Sequence, residues 1–572
     1  VTAALLLAVP LLPLMLAVLI GLRPGRTRLN HLVPWVALPG LLLAAFAPPG
    51  LEASIDGLLM GSQLALDPTG RAFLALTAGL WLAAGLFALG DRGEDPQRHR
   101  FYVFWLLALT GNLGLILAQD ALSFYLFFAL MSLSAYGLVV HSGKPEAWRA
   151  GRIYLILAVL GEVLLFAGLV LAVHAAGQSG LAAVAAARPE GWALALLVLG
   201  LGIKAGMLPL HFWLPLAHPA APVPASAVLS GAMIKAGLLG WMRLLPFDAT
   251  GHMLLGELLV ALGLTAAFLG AVVGALQVRP KTILAYSSIS QMGLMTTGIG
   301  LALLLPEVRG WLLAAVTLYA VHHGLAKGAL FLAAGMQDQR PTGPLASRLF
   351  ALFVLLPAAA LVGAPLTSGA VAKNVLKGPL DAEALPGWLA HTELLLTLAA
   401  TATTLVLLRF LWRWRAGLQA PVEGLDRSRW WAWGSLALMA LVIPIWIVWT
   451  TPGALPAEVH DLFGFSLLWP IALGLGLGWL TYLLVRDRAT PRLPEGDLAI
   501  LMEAAWRTAR HKRRSLALPP PRPRRIPARL RGIRLRWRAR LEAAERILTR
   551  WETIGLLFAS ALLGLYLTLL PQ

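Results

Sequence analysis

The sequence predicts an all-α polytopic membrane protein with about sixteen transmembrane helices. Three observations carry this. The 572 residues are 58% hydrophobic and only 13% charged, with a mean hydropathy of +0.75. Sixteen apolar runs have the roughly 20-residue length that crosses a bilayer core. The loops between them alternate between basic and nearly uncharged, as the positive-inside rule demands.

The runs fall near 2–22, 29–48, 69–90, 101–119, 121–141, 153–174, 191–210 and 224–246 in the first half of the chain. They continue near 252–277, 282–305, 310–336, 346–374, 388–412, 430–450, 462–485 and 552–570. Residues 1–20 have no basic stretch before them; Arg23, Arg26 and Arg28 follow instead, which predicts a retained first span with its N-terminus outside. The basic loops at 23–28, 91–100, 144–152, 279–281, 337–348 and 409–429 then all lie inside. The loops at 52–67, 247–252, 306–309 and 452–461, with few basic residues, lie outside, as does the C-terminus. The exception is 211–223, expected inside yet without Lys or Arg, as a broken seventh helix partly within the membrane would explain. The expected location is a bacterial inner membrane.

There is no cysteine, so disulfides and cysteine-held metal clusters are excluded. No Gly-rich nucleotide loop occurs. No redox or nucleotide cofactor is therefore expected on this chain, and an ion gradient or a partner protein must supply the energy. The net charge of +18 is local: residues 507–550 hold 16 Lys/Arg against 2 acids, leaving +14 there. Residues 519–527 (Pro-Pro-Pro-Arg-Pro-Arg-Arg-Ile-Pro) read as a stiff linker. Leu530, Ile533, Trp537, Leu541 and Ile547 among arginines predict an amphipathic helix on the inner face, for anionic lipid or an acidic subunit. A solvated positive-inside loop is the alternative. Nucleic acid is not the expected partner.

The most informative stretch is 202–219, Gly-Ile-Lys204-Ala-Gly-Met-Leu-Pro209-Leu-His211-Phe-Trp-Leu-Pro-Leu-Ala-His218-Pro. A charge near mid-bilayer costs roughly 3 kcal/mol, so Lys204 in an apolar run is a functional candidate. Pro209 predicts a break in the seventh span, and exposed backbone at that depth needs protein or a water-filled cavity around it. Lys235 sits in the next apolar run. Buried lysines beside a broken helix predict an ion path.

These residues resemble the antiporter-like, proton-translocating membrane subunits of respiratory complex I, of hydrogenase-4-type membrane hydrogenases and of multisubunit Na+/H+ antiporters. The likeness covers about residues 100–415. It rests on 202–243, on Lys281-Thr-Ile-Leu-Ala-Tyr-Ser287-Ser288-Ile-Ser290, on His322-His323-Gly-Leu-Ala-Lys327 and on Gly363-Ala-Pro365 followed by Lys373. The resemblance implies two inverted five-helix repeats, broken seventh and twelfth helices, and a polar axis along the membrane midplane. The implied organisation is 1–99 for spans 1–3, 100–246 and 247–415 for the repeats, and 416–485 for spans 14 and 15. A basic lateral segment, 486–551, and a last span, 552–572, follow.

One departure matters. The family pattern has a glutamate where this chain has Ala129, in Phe-Phe-Ala129-Leu-Met. That carboxylate is the implied partner of Lys204. Glu162, flanked by apolar residues on the sixth span, is the expected replacement. A carboxylate about 6 Å from a lysine, at an effective dielectric near 20, is worth roughly 3 kcal/mol to the bound proton. Moving it would release that proton.

The expected path runs through Glu162, Lys204, Lys235, His323, Lys327 and Lys373. His323 and Lys327 are four residues apart and share a helix face. His211 and His218 are candidates for the inner mouth, and Ser287, Ser288 and Ser290 for path lining or helix–helix hydrogen bonds. Pro209, Gly363 and Pro365 are the expected helix breakers. His322, on another face, reads as a packing residue. The resulting expectation is a proton-translocating subunit of a larger membrane assembly. The alternatives are a non-pumping coupling subunit, a Na+/H+ antiporter component or a module for inorganic-carbon uptake.

Overall fold

The computed structural model describes residues 2–22, 27–55, 61–90, 95–247, 252–381, 385–422, 426–450, 465–485 and 496. The predicted basic segment, apart from residue 496, and the predicted last span lie outside the described residues. The helices below belong to one compact unit, Val1–Ala53 with Gln63–Asp497.

The first half contains α1 (Thr2–Leu22), α2 (Leu38–Phe46), α3 (Pro68–Gly90), α4 (Arg98–Leu117) and α5 (Ala121–Val139). It continues with α6 (Pro145–Ala176), α7 (Leu181–Ala186), α8 (Gly191–Ala205), α9 (Trp213–Ala220), α10 (Val223–Val228) and α11 (Lys235–Leu244). The second half contains α12 (Met253–Ala275), α13 (Pro280–Leu304), α14 (Arg309–Ala334), α15 (Pro344–Val362) and α16 (Ser368–Lys377). Last come α17 (Thr392–Ala416), α18 (Arg427–Thr450) and α19 (Phe465–Val485). Long apolar runs become helices because a bilayer offers the backbone no other hydrogen-bond partner.

Ten described helical segments are long and apolar enough to cross a membrane, or eleven if α13 and α14, bent by 116°, count as one. That is fewer than the sixteen expected. Span seven is split, leaving α8 with 15 residues. The hydroxyls, histidines and lysine of α13 and α14 lower their apolarity, and 552–570 falls outside the described residues.

The two breaks share one device. Gly206 (φ 75) ends α8, where Met207 N donates to Gly202 O (2.9 Å) and Gly206 N to Ile203 O (3.2 Å). Gly363 (φ 89) ends α15, where Ala364 N donates to Ala359 O (3.0 Å) and Gly363 N to Ala360 O (3.0 Å). Both are Schellman motifs, which need a left-handed residue that glycine adopts without a Cβ penalty. So α8 stops at a glycine before Pro209 is reached, and the proline only keeps it from resuming. In the second break Leu366 has φ 63, a conformation L side chains rarely adopt.

A further irregularity lies inside span eight. Between α10 and α11, Leu229–Met233 forms a π-turn, in which Ile234 N reaches back to Leu229 O (3.2 Å). Close helix approaches rest on small residues. Gly256, Gly263 and Gly270 of α12, seven residues apart, meet α13; a methyl on Gly263 would lie 2.6 Å from Gly293 O. Arginines close two helix ends: Arg243 donates to Leu115, Ile116 and Ala118 carbonyls after pairing with Asp67 (2.7 Å). Arg429 donates to Gly335 O and pairs with Asp338 (3.1 Å).

Candidate functional site

The first cluster forms where α6 and α8 touch. A methyl on Gly200 would lie 2.6 Å from Leu165 N and 2.9 Å from Gly161 O, so only glycine permits this approach. The contact seats Glu162, the residue after Gly161, and Lys204, four after Gly200, on one small cavity shared with Ser132, Tyr154 and Trp213. Both charged residues are 6% exposed. Lys204 Nζ donates to Tyr154 Oη (3.3 Å), and Tyr154 Oη donates to the Ser132 carbonyl (2.8 Å). The ammonium also lies 5.7 Å from the Tyr154 ring and 5.9 Å from the Trp213 ring. Neither Glu162 carboxylate oxygen has a hydrogen-bond partner among the described residues. Ala129 lies on α5, beside Phe128, which lines the same cavity.

The second cluster is central. A π-turn frees a carbonyl from the usual helical ladder, and Lys235 Nζ donates to such a carbonyl, that of Ser230, at 2.6 Å. Ser230 Oγ and Ser288 Oγ lie 2.8 Å apart. Ser288 Oγ donates to the Leu284 carbonyl (2.9 Å), so Ser230 is the donor between the hydroxyls. The same Leu284 carbonyl accepts Lys327 Nζ at 3.0 Å. Lys235 and Lys327 thus meet at Ser230 and Ser288. Lys235 holds the Ser230 carbonyl, and the Ser230 hydroxyl leads through Ser288 Oγ to the Leu284 carbonyl that accepts Lys327, the link within Ser230 being covalent and not a hydrogen bond. His323 lies one turn before Lys327, fully buried, with neither ring nitrogen hydrogen-bonded to a described residue.

The third cluster sits at the second break. Lys373 Nζ donates to the Val362 carbonyl (2.6 Å), closing the end of α15. His322 Nδ1 and Ser368 Oγ lie 2.8 Å apart, and Ser368 Oγ donates to Ala440 O (2.5 Å). The packing role expected for His322 is therefore incomplete: it ties α14 to the first turn of α16.

The remaining sequence candidates are more scattered. His211 is buried in the α8–α9 connection. His218 stacks on Phe331 at 4.7 Å, with both ring nitrogens unbonded among described residues. Ser290 donates to Ala267 O (2.7 Å), a helix–helix bond, while the Ser287 hydroxyl is buried without a described partner. Four residues were missed as site members. Tyr154 reads as an ordinary core aromatic. Ser230 shows nothing of its π-turn, and Ser226 donates to His218 O (2.8 Å). Lys281 reads as a loop charge at the head of a family motif with no role of its own, yet its ammonium donates to Ala221 O and Ser226 Oγ.

Comparison with known proteins shows the family of this fold. The family described as "NADH:quinone oxidoreductase/Mrp antiporter, TM" matches residues 118–397, a stretch that contains the lysines and histidines of all three clusters. An NAD(P)H-quinone oxidoreductase chain 4 of Microcystis aeruginosa is 30% identical over 397 residues, covering 65% of this chain and 69% of that protein. The chain belongs to this family. Hydrogenase-4 component B of Escherichia coli K12 is 31% identical over 327 residues, 54% of this chain and 48% of that protein. The chain spans about half the length of several curated relatives it matches. A solved structure of the Mrp complex from Dietzia sp. DQ12-45-1b shares the fold at a TM-score of 0.72 and 22% identity, over 96% of this chain and 63% of that one. This is therefore a multi-pass, antiporter-like membrane protein of the complex I and Mrp type.

Proposed function

We propose that the chain is a proton-translocating membrane subunit of a multisubunit energy-converting assembly in a bacterial inner membrane. The observation that carries this is the pairing of Glu162 and Lys204 on one buried cavity without a direct hydrogen bond between them. An ammonium and a carboxylate held in that relation form a switch: approach favours the protonated lysine, and separation favours proton release. Lys204 hands its proton inward to Lys235, and the Ser230–Ser288–Leu284 connection carries the influence of Lys235 to Lys327 and His323. Lys373 at the second break is the exit-side group. Two buried lysines that meet at neighbouring hydrogen-bonded groups cannot both stay charged cheaply, which suits a relay in which one is protonated as the other is emptied.

Partner membrane subunits supply the driving reaction, because no nucleotide or redox motif lies on this chain. The lining is lysine, histidine and hydroxyl rather than the clustered oxygen ligands a sodium site needs, so the proton is the proposed cargo. The reading is tested by reconstituting the assembly in liposomes and following internal pH. Lys204→Ala should lower proton flux at least tenfold; undiminished flux would leave Ala129, at the family's carboxylate position, as evidence for a non-pumping coupling subunit.

A further inference from the structure

A large groove opens away from the lysine clusters, between α15, α17 and α19, with a volume of about 1320 Å³. Its floor is apolar: Val354, Leu355, Leu405, Leu408 and Leu475 line it. Its mouth is basic, with Arg340, Arg409 and Arg415 at one end. Arg340 and Arg415 are exposed, and among the described residues no carboxylate pairs with any of the three. Arg409 donates its Nε to Gln277 O (3.0 Å) and lies 4.9 Å from the Trp412 ring, which leaves its terminal amino groups for another acceptor. Trp412, Trp479 and Tyr482 stand at the same end, 45%, 64% and 43% exposed.

Charge, aromatics and apolar wall are thus ordered along one line. From Leu405 to Arg415 a helix rises about 15 Å. Aromatic side chains of this kind mark the headgroup level of a bilayer. Arg340 lies in the connection before α15, and Arg409 and Arg415 lie in the last turns of α17, the end of each helix that the charge pattern assigns to the inner side. A basic pocket between helices at that level fits a phosphate headgroup, since guanidinium groups bind phosphate through paired N–H donors.

We propose that this groove binds an anionic phospholipid of the inner leaflet. Its phosphate sits among Arg340, Arg409 and Arg415, and an acyl chain lies along the α15–α17 wall.

The detergent-purified assembly containing the full chain is incubated with dioleoyl phosphatidylglycerol or dioleoyl phosphatidylcholine. Retained lipid and the thermal unfolding midpoint are then measured. The anionic lipid should be retained several-fold better and should raise the midpoint. Arg340→Gln with Arg415→Gln removes two charges that make no described side-chain hydrogen bond, and should cut retention at least fivefold. Ala351→Trp with Leu355→Trp fills the exposed α15 wall and should cut it as much with every arginine present. Retention unchanged in both variants overturns the proposal. So does equal protection by inorganic phosphate, which would make the mouth an anion site without a lipid. Loss of a neighbouring subunit from the tryptophan variant with lipid retention intact would assign the groove to protein instead.

Discussion

Lys235 Nζ and the Ser230 carbonyl oxygen lie 2.6 Å apart, across the π-turn that interrupts span eight. The buried charge thus takes its acceptor from inside the irregular turn, where a π-turn can free a carbonyl from the helical ladder and an ammonium can satisfy it. Gly231 fixes the position of this turn, because a methyl there would lie 2.8 Å from Gly324 O on α14, one residue from His323.

Removal of the Ser288 hydroxyl tests the central connection. Ser288→Ala deletes the acceptor of Ser230 Oγ while the Leu284 carbonyl keeps Lys327. Two buried hydrogen bonds are lost, Ser230 to Ser288 and Ser288 to Leu284, at about 1–3 kcal/mol for each group left unsatisfied, so the unfolding midpoint should fall measurably. Proton flux in proteoliposomes should drop several-fold. A stability loss with full flux would show that the hydroxyls only hold helices together.

The α6–α8 approach predicts a second effect. Gly200→Ala places a methyl against Leu165 N and Gly161 O, both backbone atoms that cannot swing aside. Overpacking of this kind costs roughly 1–3 kcal/mol, and it separates the carboxylate from the ammonium. Flux should fall more than the stability loss alone explains when measured at temperatures where the variant is fully folded. Gly143→Ala, at an open turn with φ 65, provides a comparison that strains the backbone without touching the site.

Lys373 predicts a split between two substitutions. Its ammonium caps the Val362 carbonyl where the α15 dipole ends. Lys373→Met loses a hydrogen bond from a charged group, about 1.5–3 kcal/mol, and should lower both the midpoint and flux. Lys373→Arg keeps a donor and a charge and should keep the midpoint. Its far weaker acidity should stop proton release, so stability without flux is the expected result. Equal flux in the arginine variant would count against Lys373 as an exit group.

Much of the fold is legible in the sequence because a bilayer rewards one pattern, long apolar runs that satisfy their own backbone. The lysines are legible for the converse reason: few structural roles justify a charge at that depth. What stays hidden is local backbone geometry. Leu-Ser-Gly-Ala-Met reads as ordinary helix, and nothing in it announces a π-turn packed closely on Gly324. Pro209 draws the eye to the seventh break, yet Gly206 ends the helix, because hydrogen bonding is already redirected two residues after Lys204. Tyr154 is invisible as a lysine partner because a tyrosine in an apolar run looks like core. His322 escapes because its partner, Ser368, belongs to a helix distant in sequence.

The position of the carboxylate gives the sharpest prediction. Glu162→Gln keeps the size of the side chain and removes its charge, and flux should fall at least tenfold. Ala129 is half-buried on α5, the residue after Phe128, and its helix borders the same cavity. Ala129→Glu in the Glu162→Gln background therefore returns a carboxylate to the neighbourhood of Lys204 from the opposite helix. If the switch requires only a negative charge at that cavity, the double variant should regain a measurable share of flux. Ala129→Glu alone should reduce flux, because two carboxylates facing one lysine hold its proton too firmly and repel each other. Full flux in Glu162→Gln would mean that Lys204 works without this partner. Failure of the double variant, with the single variant inactive, would restrict the switch to a carboxylate on α6.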